Sequence, residues 1–157
     1  MSIPVGGLSE SDAKSLLNLL LGGTTYTTPS TYYIGLARGD LSYGSDDFTD
    51  ANEVDAADYD RVELANNTTN FPAATNHGDG NRATKTNGVE VDFGTSQNVW
   101  ADSQDPVKYA FLATTADNSG RIVAFGRLAQ NGSAHDQEIP AGIHVRYAVG
   151  TMVFNLR

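Results

Sequence analysis

Hydrophobic positions follow two different spacings along this chain, one helical and one typical of strands. Between residues 9 and 21 they recur every three to four residues, so that several share one side of a helix. The members of this stripe are Ala13, Leu16, Leu19 and Leu20. Ser9 stands at an N-cap position with Asp12 three residues later, and glycines follow the last leucine. The pattern predicts a helix over residues 9–21 whose apolar stripe packs on another surface.

After residue 30 the apolar residues occur in short runs rich in Tyr, Val, Ile and Phe, separated by Gly, Asn, Asp and Pro. The predicted strands cover residues 32–37, 61–65, 88–93, 107–114, 121–128 and 144–156. The run 107–114 is apolar on both faces, which is typical of a strand between two packed layers. We therefore predict a single domain, residues 1–157, with a mainly β fold: a jelly-roll-like β-sandwich with one short N-terminal α-helix.

Two segments fit neither spacing. Residues 1–8, "MSIPVGGL", are predicted to form an extended arm, and residues 39–60 an acidic loop within the β-sandwich of residues 30–157. A run rich in carboxylates is ordinarily a solvated segment. Ile3, Pro4 and Val5 are candidate contact residues, because apolar side chains without helical or strand periodicity are costly to leave in water. A frayed terminus is the alternative.

Net charge and composition restrict the classes of partner. The chain carries 19 acidic and 10 basic side chains, a formal charge of −9, which opposes binding to nucleic acid or to an anionic membrane surface. It contains no cysteine, so disulfides and thiolate metal sites are excluded. The apolar run 16–21 is far shorter than the ~20 residues of a spanning helix. The N-terminus lacks the pattern of a secretory signal, which predicts synthesis in a cytoplasm without export.

The three histidines do not form a recognisable catalytic motif. His77 and His135 lie in turn-like stretches, His144 lies in a predicted strand, and no nucleophile signature accompanies them. The carboxylates between residues 46 and 60 have few apolar neighbours, whereas a glycosidase pair needs one carboxyl in an apolar pocket. We therefore predict that the protein is not an enzyme; a hydrolase stays open as an alternative.

Calcium is the metal that the acidic segment could bind. Asp46, Asp50 and Asp55 could converge on a hard cation, but Phe48 and Ala51 break the EF-hand pattern at a ligand position and at the required glycine. We predict no metal and no cofactor, and a calcium site in this segment is the alternative.

The aromatic residues allow two interpretations. Trp100 and the tyrosines of the first third could form a platform on which sugars stack, or they could fill a core or a subunit interface. Those tyrosines are Tyr26, Tyr32, Tyr33 and Tyr43.

The segment "NNTTNFPAAT", residues 66–75, is predicted to be an architectural corner. Its asparagine side chains can satisfy turn backbone locally, Phe71 enters the core, and Pro72 sets the direction of the exit. A binding loop is the alternative for its exposed Asn and Thr groups.

Three segments together carry a family resemblance: "LLNLLLGGTTYTTPSTYYIGLARGD", "YDRVELANNTTNFPAAT" and "IPAGIHVRYAVGTMVFNLR". In this order they resemble a family of small tailed-bacteriophage virion proteins, often labelled tail-fibre proteins, and some members are similar to capsid decoration, or cement, proteins. The likeness covers most of the chain. Its signatures are structural and not catalytic.

The resemblance implies a structural virion protein of the outer capsid surface. Such a decoration protein assembles as a homotrimer, binds the major capsid protein and stabilises contacts between capsomers, with Ile3, Pro4 and Val5 as the candidate clamp. The alternative that it implies is a tail-fibre or receptor-binding module that recognises host surface glycans.

Overall fold

The computed structural model describes residues 6–43, 47–76, 83–130 and 133–156. These residues form one helix and twelve strands. In chain order they are β1 Gly6–Leu8, α1 Glu10–Gly22, β2 Thr31–Ala37, β3 Val62–Ala65, β4 Thr75–Asn76, β5 Ala83–Thr86, β6 Val91–Thr95, β7 Tyr109–Ala113, β8 Ile122–Arg127, β9 Ala129–Gln130, β10 Ser133–Ala134, β11 His144–Tyr147 and β12 Val153–Leu156. The predicted mainly β fold with one helix near the N-terminus is confirmed, and α1 lies within one residue of its predicted ends.

An antiparallel sheet of five strands organises the fold, in the order β1-β8-β7-β2-β3. β7 is its central strand, and all five of its residues are buried. Tyr109, Phe111 and Ala113 contact one core cluster, whereas Ala110 and Leu112 contact another. The predicted position of this strand between two layers is therefore confirmed.

The described residues of the acidic segment between 39 and 51, which we call the cover segment, lie on one face of this sheet. Leu41, Phe48 and Ala51 are buried there in one cluster with Phe111. The prediction of a plain solvated loop was wrong for these apolar residues. A few hydrophobic side chains spaced among carboxylates are enough to hold the segment against the sheet, while Asp47, Thr49 and Asp50 face water.

The opposite face of the sheet packs on two smaller antiparallel sheets, β11-β6 and β12-β5-β4, which makes the fold sandwich-like. Their contributions to the shared core include Val91, Val145 and Met152, together with Trp100 from the connection between β6 and β7. Burial of apolar surface between these layers supplies most of the free energy that favours folding.

The C-terminal run 144–156, predicted as one strand bent near Gly150, is divided between two sheets. Gly150 has a φ of 77°, a left-handed conformation that favours glycine, and the chain turns there between β11 and β12. Asn87, fully buried, holds this turn: its Nδ2 donates to Val89 O and Ala148 O, and its Oδ1 accepts from Met152 N at 2.9 Å.

The predicted N-terminal arm is shorter than residues 1–8. Gly6 to Leu8 form β1, the edge strand that pairs with β8 in the register Gly6↔Gly126 and Leu8↔Ala124. A Cβ atom on Gly6 would lie 2.8 Å from Phe125 O, so this close pairing requires glycine. The candidate clamp residues, Ile3, Pro4 and Val5, lie outside the described residues.

The predicted corner at residues 66–75 is confirmed by its hydrogen bonds. Asn67 Oδ1 accepts from the backbone N–H groups of Thr69 and Asn70, and Asn70 Nδ2 donates to Ala65 O at 2.9 Å. Phe71 is buried with its ring edge-on to Tyr32 at 5.9 Å. Asparagine side chains here replace the backbone partners that a regular strand would supply.

Candidate functional site

The first turn of α1 is tied to the central sheet by a buried carboxylate. Asp12, 2% exposed, accepts hydrogen bonds from Arg121 Nη2 at 2.8 Å and from Tyr26 Oη at 2.5 Å. The N-cap residue Ser9 accepts from Asp12 N through its side chain, and its own N–H donates to Val123 O at 2.8 Å. The predicted cap is therefore confirmed, and Asp12 has a second task in joining the helix to β8 and its preceding turn.

The pKa of Asp12 lies below its ordinary value. Burial is the largest influence and acts to raise this pKa, but hydrogen bonds from Arg121, Tyr26 and Ser9 together outweigh it. Burial and the Asp12 carboxylate in turn raise the pKa of the Tyr26 phenol, which stays a neutral donor.

We expect Asp12→Asn to destabilise the fold by about 1–3 kcal/mol at neutral pH, because the charge-assisted bond to a half-exposed Arg121 is lost. A lowered folded pKa adds stability above the unfolded value of 3.8, and this stability is lost as the pH falls through the folded pKa. Urea unfolding between pH 7 and 3 measures both effects, and the variant should lose less stability on acidification than the parent protein.

The matched control for this prediction is Glu10→Gln. Glu10 lies in the same turn and forms an exposed pair with Lys14, so its replacement should change the free energy of unfolding by less than about 0.5 kcal/mol. If the Asp12→Asn variant and the parent protein lost the same free energy of unfolding between pH 7 and 3, the Asp12 carboxylate would not be a source of the acid sensitivity.

The second half of α1 carries leucines that the described residues of this chain do not cover. Leu17 is 57% exposed, Leu19 40%, Leu20 69% and Leu21 86%, and Asp12 is the buried residue of the helix. Of the predicted stripe, Leu16 is half-buried, whereas Leu19 and Leu20 face solvent. The packing expected for this stripe is therefore not made within the described part of the chain.

An apolar groove of about 330 Å³ lies beside the helix. Leu16 of α1 and Leu8 of β1 line it, together with side chains from the sheets, among them Tyr32, Leu112 and Phe154. Leu16 therefore joins the groove to the exposed leucines. We call Leu17, Leu20 and Leu21, which follow the helical spacing i, i+3 and i+4, the leucine stripe.

The aromatic residues do not assemble into a sugar-stacking platform. Trp100 is buried and donates from Nε1 to Asp58 Oδ2 at 3.0 Å, and Tyr32 is also buried. Tyr26 is bound to Asp12, whereas Tyr43 is exposed. The core interpretation therefore holds for Trp100 and Tyr32.

The structure joins His144 to a hydroxyl and a carboxylate across the β6–β11 pair. His144 Nδ1 lies 3.2 Å from Thr95 Oγ1, and its Nε2 lies 2.8 Å from Asp92 Oδ1. The hydrogen bond from Gly94 N–H, followed by that of His144, holds the pKa of Asp92 below its usual range. Both the imidazole and the carboxylate are about half exposed, so the group is a solvated cross-strand pair.

The other histidines and carboxylates lie apart from this pair. His135 makes backbone hydrogen bonds beside β8, and His77 lies outside the described residues. Among residues 6–43, 47–76, 83–130 and 133–156, no three side chains of His, Asp or Glu come close enough to hold a metal ion. Of the candidate calcium ligands, Asp55 pairs with Arg38 at 3.1 Å, and Asp46 lies outside the described residues.

The pattern of hydrophobic positions alone did not identify Leu17 and Leu21 as part of an exposed apolar surface. The signal that could have found them is charge: residues 15–37 contain no charged side chain, in a chain where 18% of residues are charged. Such a run can mark a core or an interface, and the pattern alone does not distinguish these. In the described part of the chain, no helix has the length and hydrophobicity needed to span a membrane.

Comparison with known families places the chain among phage virion proteins. A family model described as "Podophage GP4 fiber I protein gp80" matches residues 7–143, from β1 to the residue before β11. No curated protein matches the chain. The match includes α1, the leucine stripe and all of the five-stranded sheet except Gly6, and it confirms the predicted resemblance at the level of a phage virion protein. The chain therefore belongs to the family of podophage GP4 fiber I protein gp80.

Proposed function

We propose that this protein is a structural subunit of the fibre apparatus of a bacteriophage virion and that it performs no catalysis. The observation that carries this proposal is the family match over residues 7–143, whose description is that of a fibre protein. The polar groups of the interior support a structural role, since Asp12, Arg61 and Asn87 each bind other parts of the fold.

The proposal does not include a glycan site built on stacked aromatics. Trp100 and Tyr32 are committed to the core, and of the five aromatic candidates Tyr43 alone is largely exposed. Stacking on sugars needs an accessible aromatic face. A fibre subunit that supports other virion proteins fits these residues better than a receptor-binding tip.

The second candidate is the predicted decoration protein of the outer head surface, bound to the major capsid protein as a homotrimer. The position of β1 at the edge of the five-stranded sheet favours it, because the arm residues directly precede this edge strand. Five residues reach at most about 17 Å, which is enough for Ile3, Pro4 and Val5 to contact an adjacent virion protein.

Density imaging of virions with and without this chain tests the proposal. We expect density to be lost from the fibre apparatus in particles that lack the chain. Loss from regular three-fold positions on the head would instead establish the decoration role. Purified virions that never contain the chain would overturn both structural roles.

Replacing Ile3, Pro4 and Val5 together by serine tests the arm. If the arm binds a neighbouring virion protein, the variant should fold normally and its copy number per purified virion should fall at least tenfold. The matched control is Val149→Ser, which changes an exposed apolar residue outside the arm. Normal occupancy of the arm variant would contradict the predicted clamp.

A further inference from the structure

The leucine stripe exposes enough apolar surface to indicate that a partner covers it. A helix that is apolar on its outward side is ordinarily buried against a partner. Leu17, Leu19, Leu20 and Leu21 together leave the equivalent of about two and a half fully exposed leucines in water. This corresponds to roughly 400 Å² of apolar surface, which is in the range of the largest patches on soluble monomers.

Charge identifies the kind of partner that fits this surface. The helix from Ser15 onward, and the connection that follows it to β2, lack any charged side chain, although the whole chain carries −9. Two copies of so acidic a chain repel each other over most of their surface, whereas the leucine stripe brings no like charges together. Depletion of charge is also the compositional mark of an interface core.

We propose that the leucine stripe packs against the same stripe of a second copy of this chain. A surface that contacts itself must be self-complementary, and a row of leucines at i, i+3 and i+4 meets that condition, because apolar side chains of one helix fit between those of another. This contact between two copies can form in a fibre and on the head surface alike.

The groove beside α1 extends this contact. Leu16 belongs both to the helix and to the groove wall, so a second helix lying along the stripe also covers the part of the groove beside Leu16. The apolar surface area of the stripe and the groove mouth together approaches the ~600 Å² that each subunit buries at the low end of stable interfaces.

The anchored N-terminus of α1 holds the stripe ready for this contact. Arg121 and Tyr26 fix Asp12 in the first turn, while each residue from Leu17 to Gly23 is exposed. A helix fixed at one end and projecting at the other loses little conformational freedom when it is covered, which favours association.

Sedimentation of the purified full chain at about 100 μM, with the triple variant Leu17→Gln, Leu20→Gln and Leu21→Gln, tests the proposal. Glutamine preserves helix propensity and adds no charge. We expect the parent protein to sediment as a multiple of its 16.7 kDa chain mass and the variant as a single chain. Circular dichroism and the Tm show whether the variant keeps its fold.

The matched control replaces exposed apolar residues elsewhere, Val99→Gln with Val149→Gln, and should keep the oligomer. A monomeric parent protein at this concentration would overturn the proposal and leave the stripe to a different virion protein. A folded triple variant that keeps the parental mass would overturn it as well.

Single cysteines give an independent test, because the chain has none of its own. With oxidised glutathione as the oxidant, at least one of Leu17→Cys, Leu20→Cys and Leu21→Cys should form a covalent dimer at least tenfold faster than Val149→Cys. A disulfide needs Cα atoms within about 7 Å of each other, so fast crosslinking reports direct contact between stripes. Equal rates at all four positions would contradict the proposed interface.

Discussion

Replacing Arg61 by alanine is expected to lower the free energy of unfolding by about 3–5 kcal/mol, because it leaves the largely buried Glu53 carboxylate without its charged partner. The Arg61 side chain is 3% exposed and that of Glu53 15%. Their two hydrogen bonds are parallel, from Nε to Oε1 at 2.8 Å and from Nη2 to Oε2 at 2.5 Å. Urea unfolding at pH 7 measures the effect.

The remaining donors of Arg61 explain why the expected loss is large. Nη1 donates to Thr115 O at 2.8 Å and to Asp117 O at 2.5 Å, in the turn between β7 and β8. The guanidinium also lies 4.2 Å from the ring centroid of Phe48, in the segment that covers the sheet. One side chain therefore joins the cover segment, the central hairpin and Glu53.

Arg146→Ala is the control for this prediction. The Arg146 side chain is 64% exposed and lies 3.8 Å from Glu90, so its removal should change the free energy of unfolding by less than about 0.5 kcal/mol. A loss below 1 kcal/mol in the Arg61→Ala variant would show that Arg61 does not hold these elements together.

The single substitution Phe111→Ala is expected to lower the free energy of unfolding by about 3–5 kcal/mol, because it opens a cavity at the centre of the sheet. Phe111 is fully buried on β7, and its ring lies 5.9 Å from that of Phe48. The ring lies over Gly35 of β2, where an added Cβ atom would come within 2.2 Å of its Cζ. Thermal and urea unfolding measure the loss.

Two further variants separate cavity formation from other causes. Tyr43→Ala removes an exposed aromatic side chain and should cost less than about 0.5 kcal/mol. Arg61 also lies over the Phe111 ring, so the double variant Arg61→Ala with Phe111→Ala should lose less stability than the two single losses added together. Strict additivity would contradict the shared packing of these residues.

Local signals in the sequence determined the helix, its cap and the central strand. Ser9 and Asp12 cap α1 as their spacing predicts, and the run around Phe111 forms a strand that is buried on both faces. The corner at residues 66–75 was also predictable, because Asn67 and Asn70 bond to backbone within a few residues. In each case the interacting groups are close in the chain, so the pattern itself contains the cause.

The tertiary structure alone decided three features that involve groups distant in the sequence. Arg121 lies 109 residues from Asp12 and joins β8 to α1, and nothing local to either residue predicts that pair. The cover segment lies on the sheet because Phe48 meets Phe111, which turned an expected acidic loop into a core layer. The run 144–156 divides between two sheets because Asn87 binds its turn from another part of the chain.

The leucine stripe shows the same division between local and long-range causes. The sequence by itself determined that α1 has an apolar face, since the spacing of its leucines allows no other arrangement on a helix. Whether that face is covered depends on where the sheets lie, and these sheets leave its members Leu19 and Leu20 in solvent, with Leu17 and Leu21 exposed beside them. Helical periodicity specifies which side chains lie together, whereas burial depends on surfaces that folding brings from elsewhere in the chain.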